Sequence, residues 1–187
     1  FLKTKDCFTV RAMFPKGHKH QGLVADFVMA RKDLGFISGT RKPILQLGTL
    51  SDDLMRRDFT VNAMAMDMDG NLIDQWRGQS ALMQMTLKTP LDPMTTLMDD
   101  PLRLLRALRF SITRGFRISD PLWDAMMQPG ILVKMKDVVS QDRMRDEVTK
   151  MMAHDTVKSL KLLSSIPGLL DVVFSDGLWL MPTSKKV

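Results

Sequence analysis

Asp100 and Arg103, three positions apart, sit in the segment DDPLRLLRALRF (99–110). Asp99 and Asp100 suit helix N-caps and Pro101 suits the first helical position, where a missing N–H costs nothing, so the spacing predicts a helix starting here. Leu104, Leu105 and Leu108 recur on one side of it, while Arg103, Arg106 and Arg109 step around another. One turn apart on such a helix, a carboxylate offers acceptors and a guanidinium a fork of donors. Together they fit a base edge that presents an amine beside a ring nitrogen. Cytosine and adenine have that edge; guanine and uracil do not. The same spacing also suits a local role, with Asp100 capping the helix and Arg103 neutralising it.

A second segment, RRDFTVNAMA (56–65), alternates Phe59, Val61, Ala63 and Ala65 with Asp58, Thr60, Asn62 and Met64. Period two predicts a strand with Asp58, Thr60 and Asn62 on one polar face and Arg56 and Arg57 at its mouth. Paired arginines suit triphosphate oxygens, and a nearby carboxylate can accept a ribose hydroxyl; a solvated strand end reads the same way. Asp67 and Asp69 in MDMDG run into Asp69-Gly70 and predict a hairpin turn. His18 and His20 flank Lys19 without a third ligand, which reads as a solvated loop and not a metal site.

The elements that must carry these residues follow from pattern. At 187 residues and 44% hydrophobic composition the chain can build one or two small domains with a core. Its net charge of +6 suits a polyanionic partner. A single cysteine, Cys7, excludes an internal disulfide framework, and no apolar run has membrane-spanning length, so a cytoplasmic protein is expected. CFTVRAMF and GLVADFVMAR read as strands around a turn, PKGHKHQG. Lys32–Pro43 reads as a basic loop with Arg41 and Lys42 as candidate phosphate contacts. A short helix is expected from Ser51. SALMQMTLKTPLDPM reads as a helix or strand ending in a proline-marked linker, with a domain change at 94/95. Beyond it the spacing is helical, with Trp123 in the core and Gly115 and Gly130 as helix stops. The 17 methionines read as adaptable packing.

The segments RRDFTVNA, GNLIDQWRG (70–78) and DDPLRLLRALRF, in this order, resemble the class II tRNA nucleotidyltransferase (CCA-adding enzyme) and poly(A) polymerase family. That family carries RRDxTxNA, G-x-(L/I)-x-D and (E/D)DPLRxLRxxRF. GLVADFVMAR (22–31) is similar to the family strand with an acidic residue followed five positions later by Arg, and SQDRMRDEVTKMM (140–152) to its (S)-x-(E/D)-R-x-x-x-E neck motif. Asp99 stands where Glu is more usual, and QWRG replaces the common PFGG after Asp74.

The resemblance implies an α+β fold. Residues 1–94 would be a partial nucleotidyltransferase head of mixed and antiparallel strands with short helices, and residues 95–187 an all-helical neck and start of body. It implies a nucleotidyltransferase that adds C and A to the tRNA 3′ end from CTP and ATP, with Mg2+ in the completed site. Poly(A) addition and a non-catalytic RNA- or nucleotide-binding remnant are the alternatives. Asp100 and Arg103 would select the base. Arg56, Arg57, Asp58, Asn62 and Arg106 would bind the nucleotide. Asp26 would be an active-site carboxylate and metal ligand with Arg31 as its companion, and Asp142, Arg143 and Glu147 would brace the neck. The family's Gly-Gly and Asp-x-Asp segment lies upstream of this sequence. It is expected from an N-terminal segment or a second polypeptide, with another chain or segment supplying body and tail. An apolar surface is expected around Leu169, Leu170, Val172, Val173 and Phe174.

Overall fold

The computed structural model describes residues 2–4, 9–36 and 43–175. The chain divides between Arg56 and Arg57 into two compact units.

In the first unit β1 (Leu2–Thr4), β2 (Thr9–Met13) and β3 (Val24–Val28) form an antiparallel sheet in that order, with Arg11 paired to Asp26. Directly paired residues share a face, so these two side chains stand together. The loop between β2 and β3 is a turn, as its composition predicts. Gly17 and Gly22 take φ of 86° and 83°, and the Gln21 side chain accepts the Gly17 N–H at 3.0 Å. β4 (Arg31–Phe36) and β5 (Pro43–Leu47) make a second antiparallel pair. Arg31 therefore opens β4 and does not share a strand with Asp26, because β3 stops at Val28. Arg41 and Lys42 lie outside the described residues. α1 (Leu50–Met55) starts at Thr49, whose side chain and Asp52 form a reciprocal capping box.

The second unit opens differently from the expected strand. Thr60–Asn62 is a turn of 3-10 helix, and only β6 (Ala65–Met66) pairs, with β7 (Leu72–Ile73), around the Asp67–Gly70 turn. The alternation misleads because the backbone donors are used locally. Asn62 and Ala63 N–H close on the Phe59 and Thr60 carbonyls, and the Asp58 carboxylate takes the Phe59 N–H. Phe59 and Ala63 are instead buried in packing.

α2 (Gly78–Met83) leads to β8 (Thr86–Leu87), which pairs in parallel with β9 (Arg117–Ile118). In LKTPLDPM, residues 88–92 form the irregular link expected there, and its end starts a helix: Asp92 caps α3 (Pro93–Asp99) by accepting the Thr95 N–H, and Pro93 fills the first helical position. Asp99 thus ends one helix, and α4 (Leu102–Arg114) begins after Pro101 and stops at Gly115, φ 74°. There follow α5 (Asp120–Met126), α6 (Pro129–Val138), α7 (Gln141–His154), α8 (Thr156–Ser164) and α9 (Leu169–Val173). Gly130 lies in the first turn of α6 and stops nothing.

The buried core is built on α4. Leu104, Leu105 and Leu108 pack with Leu122 and Met126 of α5, Met135 of α6, and Met144, Val148 and Met151 of α7, while Trp123 packs partly buried against it. Leu169 and Val173 join this core fully buried, with Leu170, Val172 and Phe174 partly buried beside them. The apolar surface expected there is covered because α9 packs on α6, α7 and α8.

Candidate functional site

Four charged side chains from three elements of the second unit close into one network. Asp58 arrives on the bend just ahead of the 3-10 turn, Arg106 and Arg109 on α4 and Glu147 on α7. The Arg106 guanidinium donates through Nε (2.8 Å) and Nη2 (2.6 Å) to Asp58 Oδ2, and through Nη1 (3.3 Å) to Glu147 Oε1. Arg109 Nε donates to the other Glu147 oxygen, and its guanidinium lies 4.3 Å from the Phe110 ring centroid. Burial works against the Arg106 charge, but the Asp58 and Glu147 carboxylates outweigh it and hold its pKa above the ordinary guanidinium value.

Asp58 Oδ1 accepts the Phe59 N–H (2.8 Å) and Asn62 Nδ2–H (3.0 Å). With the two Arg106 bonds, the carboxylate takes four donors, about its full capacity. A ribose hydroxyl would have to share an oxygen with one of them. Exposed Arg57 reaches the Asn62 carbonyl at 3.4 Å. The Thr60 hydroxyl oxygen is buried without a hydrogen-bond partner.

The turn that follows Asp58 is held from below by Asp74 and Gly78. Asp74 accepts the Gly78 and Gln79 N–H groups at 2.6 and 2.9 Å and so caps α2. A Cβ at Gly78 would stand 2.2 Å from the Thr60 carbonyl oxygen, so only glycine lets α2 approach this closely. Arg77 takes φ 56°, a left-handed conformation, at a position where the resembling family commonly has glycine. The sequence signal for this role of Asp74 is a carboxylate four residues ahead of a helix start.

At the α3–α4 junction Asp100 Oδ1 accepts the Leu102 N–H (3.2 Å), and Oδ2 accepts Arg143 Nη2–H (2.7 Å). Arg103 Nη1 reaches back to the Thr96 carbonyl at 3.0 Å. Of the expected neck braces, Arg143 and Glu147 do join α7 to the α4 segment. Asp142 does not: its side chain is 91% exposed, and the contact it shows is Arg145 of its own helix at 3.8 Å. Arg109, part of the basic stripe on α4, joins the network because its three-residue spacing from Arg106 brings both guanidinium groups to Glu147.

In the first unit, Asp26 forms a two-pronged pair with Arg11, Nε to Oδ1 at 2.7 Å and Nη2 to Oδ2 at 2.8 Å. Hydrogen bonding from Arg11 holds the Asp26 carboxyl below the usual carboxylate range. Arg56 pairs with buried Asp53. Among the described residues no three His, Cys, Asp or Glu side chains converge as a metal site. With both Asp26 oxygens taken by a guanidinium, these residues do not by themselves fit a magnesium ion.

Comparison with known proteins decides the family. Residues 38–88 match the poly A polymerase head domain. The chain is 31% identical to the CCA-adding enzyme of Geobacillus thermodenitrificans, across 91% of this chain and 45% of that protein. It is 30% identical to nucleotidyltransferase lcsQ of Purpureocillium lilacinum, across 83% of this chain and 28% of that protein. It superposes on the crystal structure of the Bacillus stearothermophilus CCA-adding enzyme in complex with CTP at TM-score 0.70 and 27% identity, covering 83% of this chain and 36% of that one. The chain belongs to the class II tRNA nucleotidyltransferase and poly(A) polymerase family. It spans less than half the length of these relatives. The α+β fold is that of the family's head and neck. The two departures from the family pattern, Asp99 for Glu and QWRG for PFGG, fall at the end of α3 and at the strained entry to α2. Among the described residues no helix is long and apolar enough to cross a membrane.

Proposed function

We propose that the chain is the nucleotide-selecting part of a cytoplasmic CCA-adding tRNA nucleotidyltransferase, with residues 95–187 as the neck and start of the body. In the reaction, the 3′ oxygen of tRNA bonds to the α-phosphorus of CTP or ATP, the bond to pyrophosphate breaks, and the hydroxyl proton leaves. Asp100 and Arg103 read the base amine and ring nitrogen, while Arg56, Arg57, Asp58, Asn62 and Arg106 hold sugar and triphosphate. Mg2+ and the Asp-x-Asp pair come with a second polypeptide or an N-terminal segment, and Asp26 would join that metal centre only on release from Arg11. The observation that carries this reading is the α3–α4 junction. There an acceptor, Asp100, and a donor fork, Arg103, are each tethered to a neighbouring element, as a protein template for cytosine and adenine requires.

Two measurements test it. Arg103→Ala should reduce the preference for CTP and ATP over UTP and GTP while the neck stays folded; an unchanged preference removes Arg103 from base reading. Intact mass of the natural protein with its co-purifying chains tests the split arrangement, which fails if a single larger chain carries the Asp-x-Asp pair. The Arg11–Asp26 pair favours a second reading, nucleotide binding without transfer. Magnesium-dependent CMP incorporation by the natural protein would rule that out, and incorporation of AMP alone would mark a poly(A)-adding member.

A further inference from the structure

α7 meets the α4 segment through two side chains four residues apart, hence on one face of the helix. Arg143 grips Asp100, and Glu147 grips Arg106 and Arg109. The charges match in one register only. Sliding α7 by one turn would bring Arg143 to where Glu147 now meets Arg106 and Arg109, and would carry Glu147 past its partners. The contact therefore sets where α4 stands along α7 and, through Arg143, how the Asp100 carboxylate is turned.

That orientation rests on two anchors. Asp100 Oδ1 is held by the Leu102 N–H at 3.2 Å and Oδ2 by Arg143 at 2.7 Å. One bond to each oxygen fixes the carboxylate plane and leaves about two acceptor directions open. Without Arg143, only the longer backbone bond restrains a side chain that is 32% exposed. A freely turning carboxylate accepts from many donors and discriminates among few.

We infer that Arg143 is a positioning residue for base selection, acting through Asp100; this rests on the base-reading role proposed above for Asp100. The neck helix then governs nucleotide choice without touching the nucleotide.

The test uses the full-length natural protein and compares kcat/KM for CTP and ATP with that for UTP and GTP. Arg143→Ala should lower this preference about tenfold, on the scale of one charge-assisted hydrogen bond. Arg143→Lys, which keeps the charge but loses the planar fork, should recover part of it. Leu105→Ala, a core change that keeps both Asp100 and Arg143, controls for lost stability and should leave the preference in place. An unchanged preference in Arg143→Ala, or an equal loss in Leu105→Ala, overturns the inference. If the wild-type protein shows no preference at all, the proposed base-reading function fails first.

Discussion

Removing Glu147 should unsettle the second unit strongly. Its side chain is 6% exposed and supplies the carboxylate between Arg106 and Arg109, which are 32% and 17% exposed. With Asp58 the cluster holds two positive and two negative charges; Glu147→Ala leaves one uncompensated guanidinium in a largely dry place. Breaking a buried pair from one side costs about 3–5 kcal/mol. The partial exposure of Arg106 lets water recover some of this, so about 2–4 kcal/mol is expected. At an m-value of about 2 kcal/mol/M, the urea midpoint of the second unit should fall by about 1–2 M. Glu147→Gln keeps the shape and one acceptor but loses the charge, and should fall between the variant and wild type. Asp58→Asn combined with Glu147→Gln should be non-additive, because both act on Arg106. A midpoint shift under about 0.3 M for Glu147→Ala, roughly 0.6 kcal/mol at that m-value, would refute the claim that the network holds α7 to α4.

Leu105, fully buried on α4, should cost about 2–5 kcal/mol on truncation to Ala, read from the same urea curve. Gly78→Ala forces a Cβ against the Thr60 carbonyl and should cost about 1–3 kcal/mol, whereas Arg77→Gly relieves a left-handed backbone and should raise the melting temperature slightly. Asp26 titrates below its ordinary value because Arg11 binds the charged form. Any stability it contributes is therefore present above the unfolded carboxylate pKa of about 3.9 and lost as pH falls through the lowered folded value. Arg11→Leu should return the Asp26 carboxyl titration, followed by carbon-13 NMR, to about 3.9; an unmoved titration would mean that Arg11 does not set it.

What could be read from the sequence follows the range of the forces involved. α4 was legible because its leucines repeat at helical spacing and Gly115 ends it, and both signals are local. The Asp67–Gly70 hairpin turn was legible for the same reason, since Asp67 accepts from residues only two and four positions away. RRDFTVNAMA was misread because alternation reports burial, and burial of Phe59 and Ala63 here comes from a 3-10 turn wedged against α2 and the Lys88 carbonyl. Nothing within ten residues of Asp58 reveals that Thr60 will donate to residue 88 or that Arg106 will cover its carboxylate.

The neck motif shows the same limit in its sharpest form. Arg143 and Glu147 have opposite charges at i and i+4, the spacing at which two side chains on one helix usually stabilise each other. Each is drawn instead to the α4 segment: Glu147 to Arg106 and Arg109 in a drier setting, where a charge-assisted bond outweighs a solvated intrahelical pair, and Arg143 to the more exposed Asp100. The motif's spacing is therefore a tertiary signal in the guise of a local one. One turn on α7 separates the two grips that span Asp100 to Arg109 on the α4 segment, so the interval between Arg143 and Glu147 measures the contact between helices and not the stability of one. The neighbouring acid shows what one step costs: Asp146 is turned about 100° around the helix from Glu147 and pairs with Lys150 of its own helix instead of Arg106.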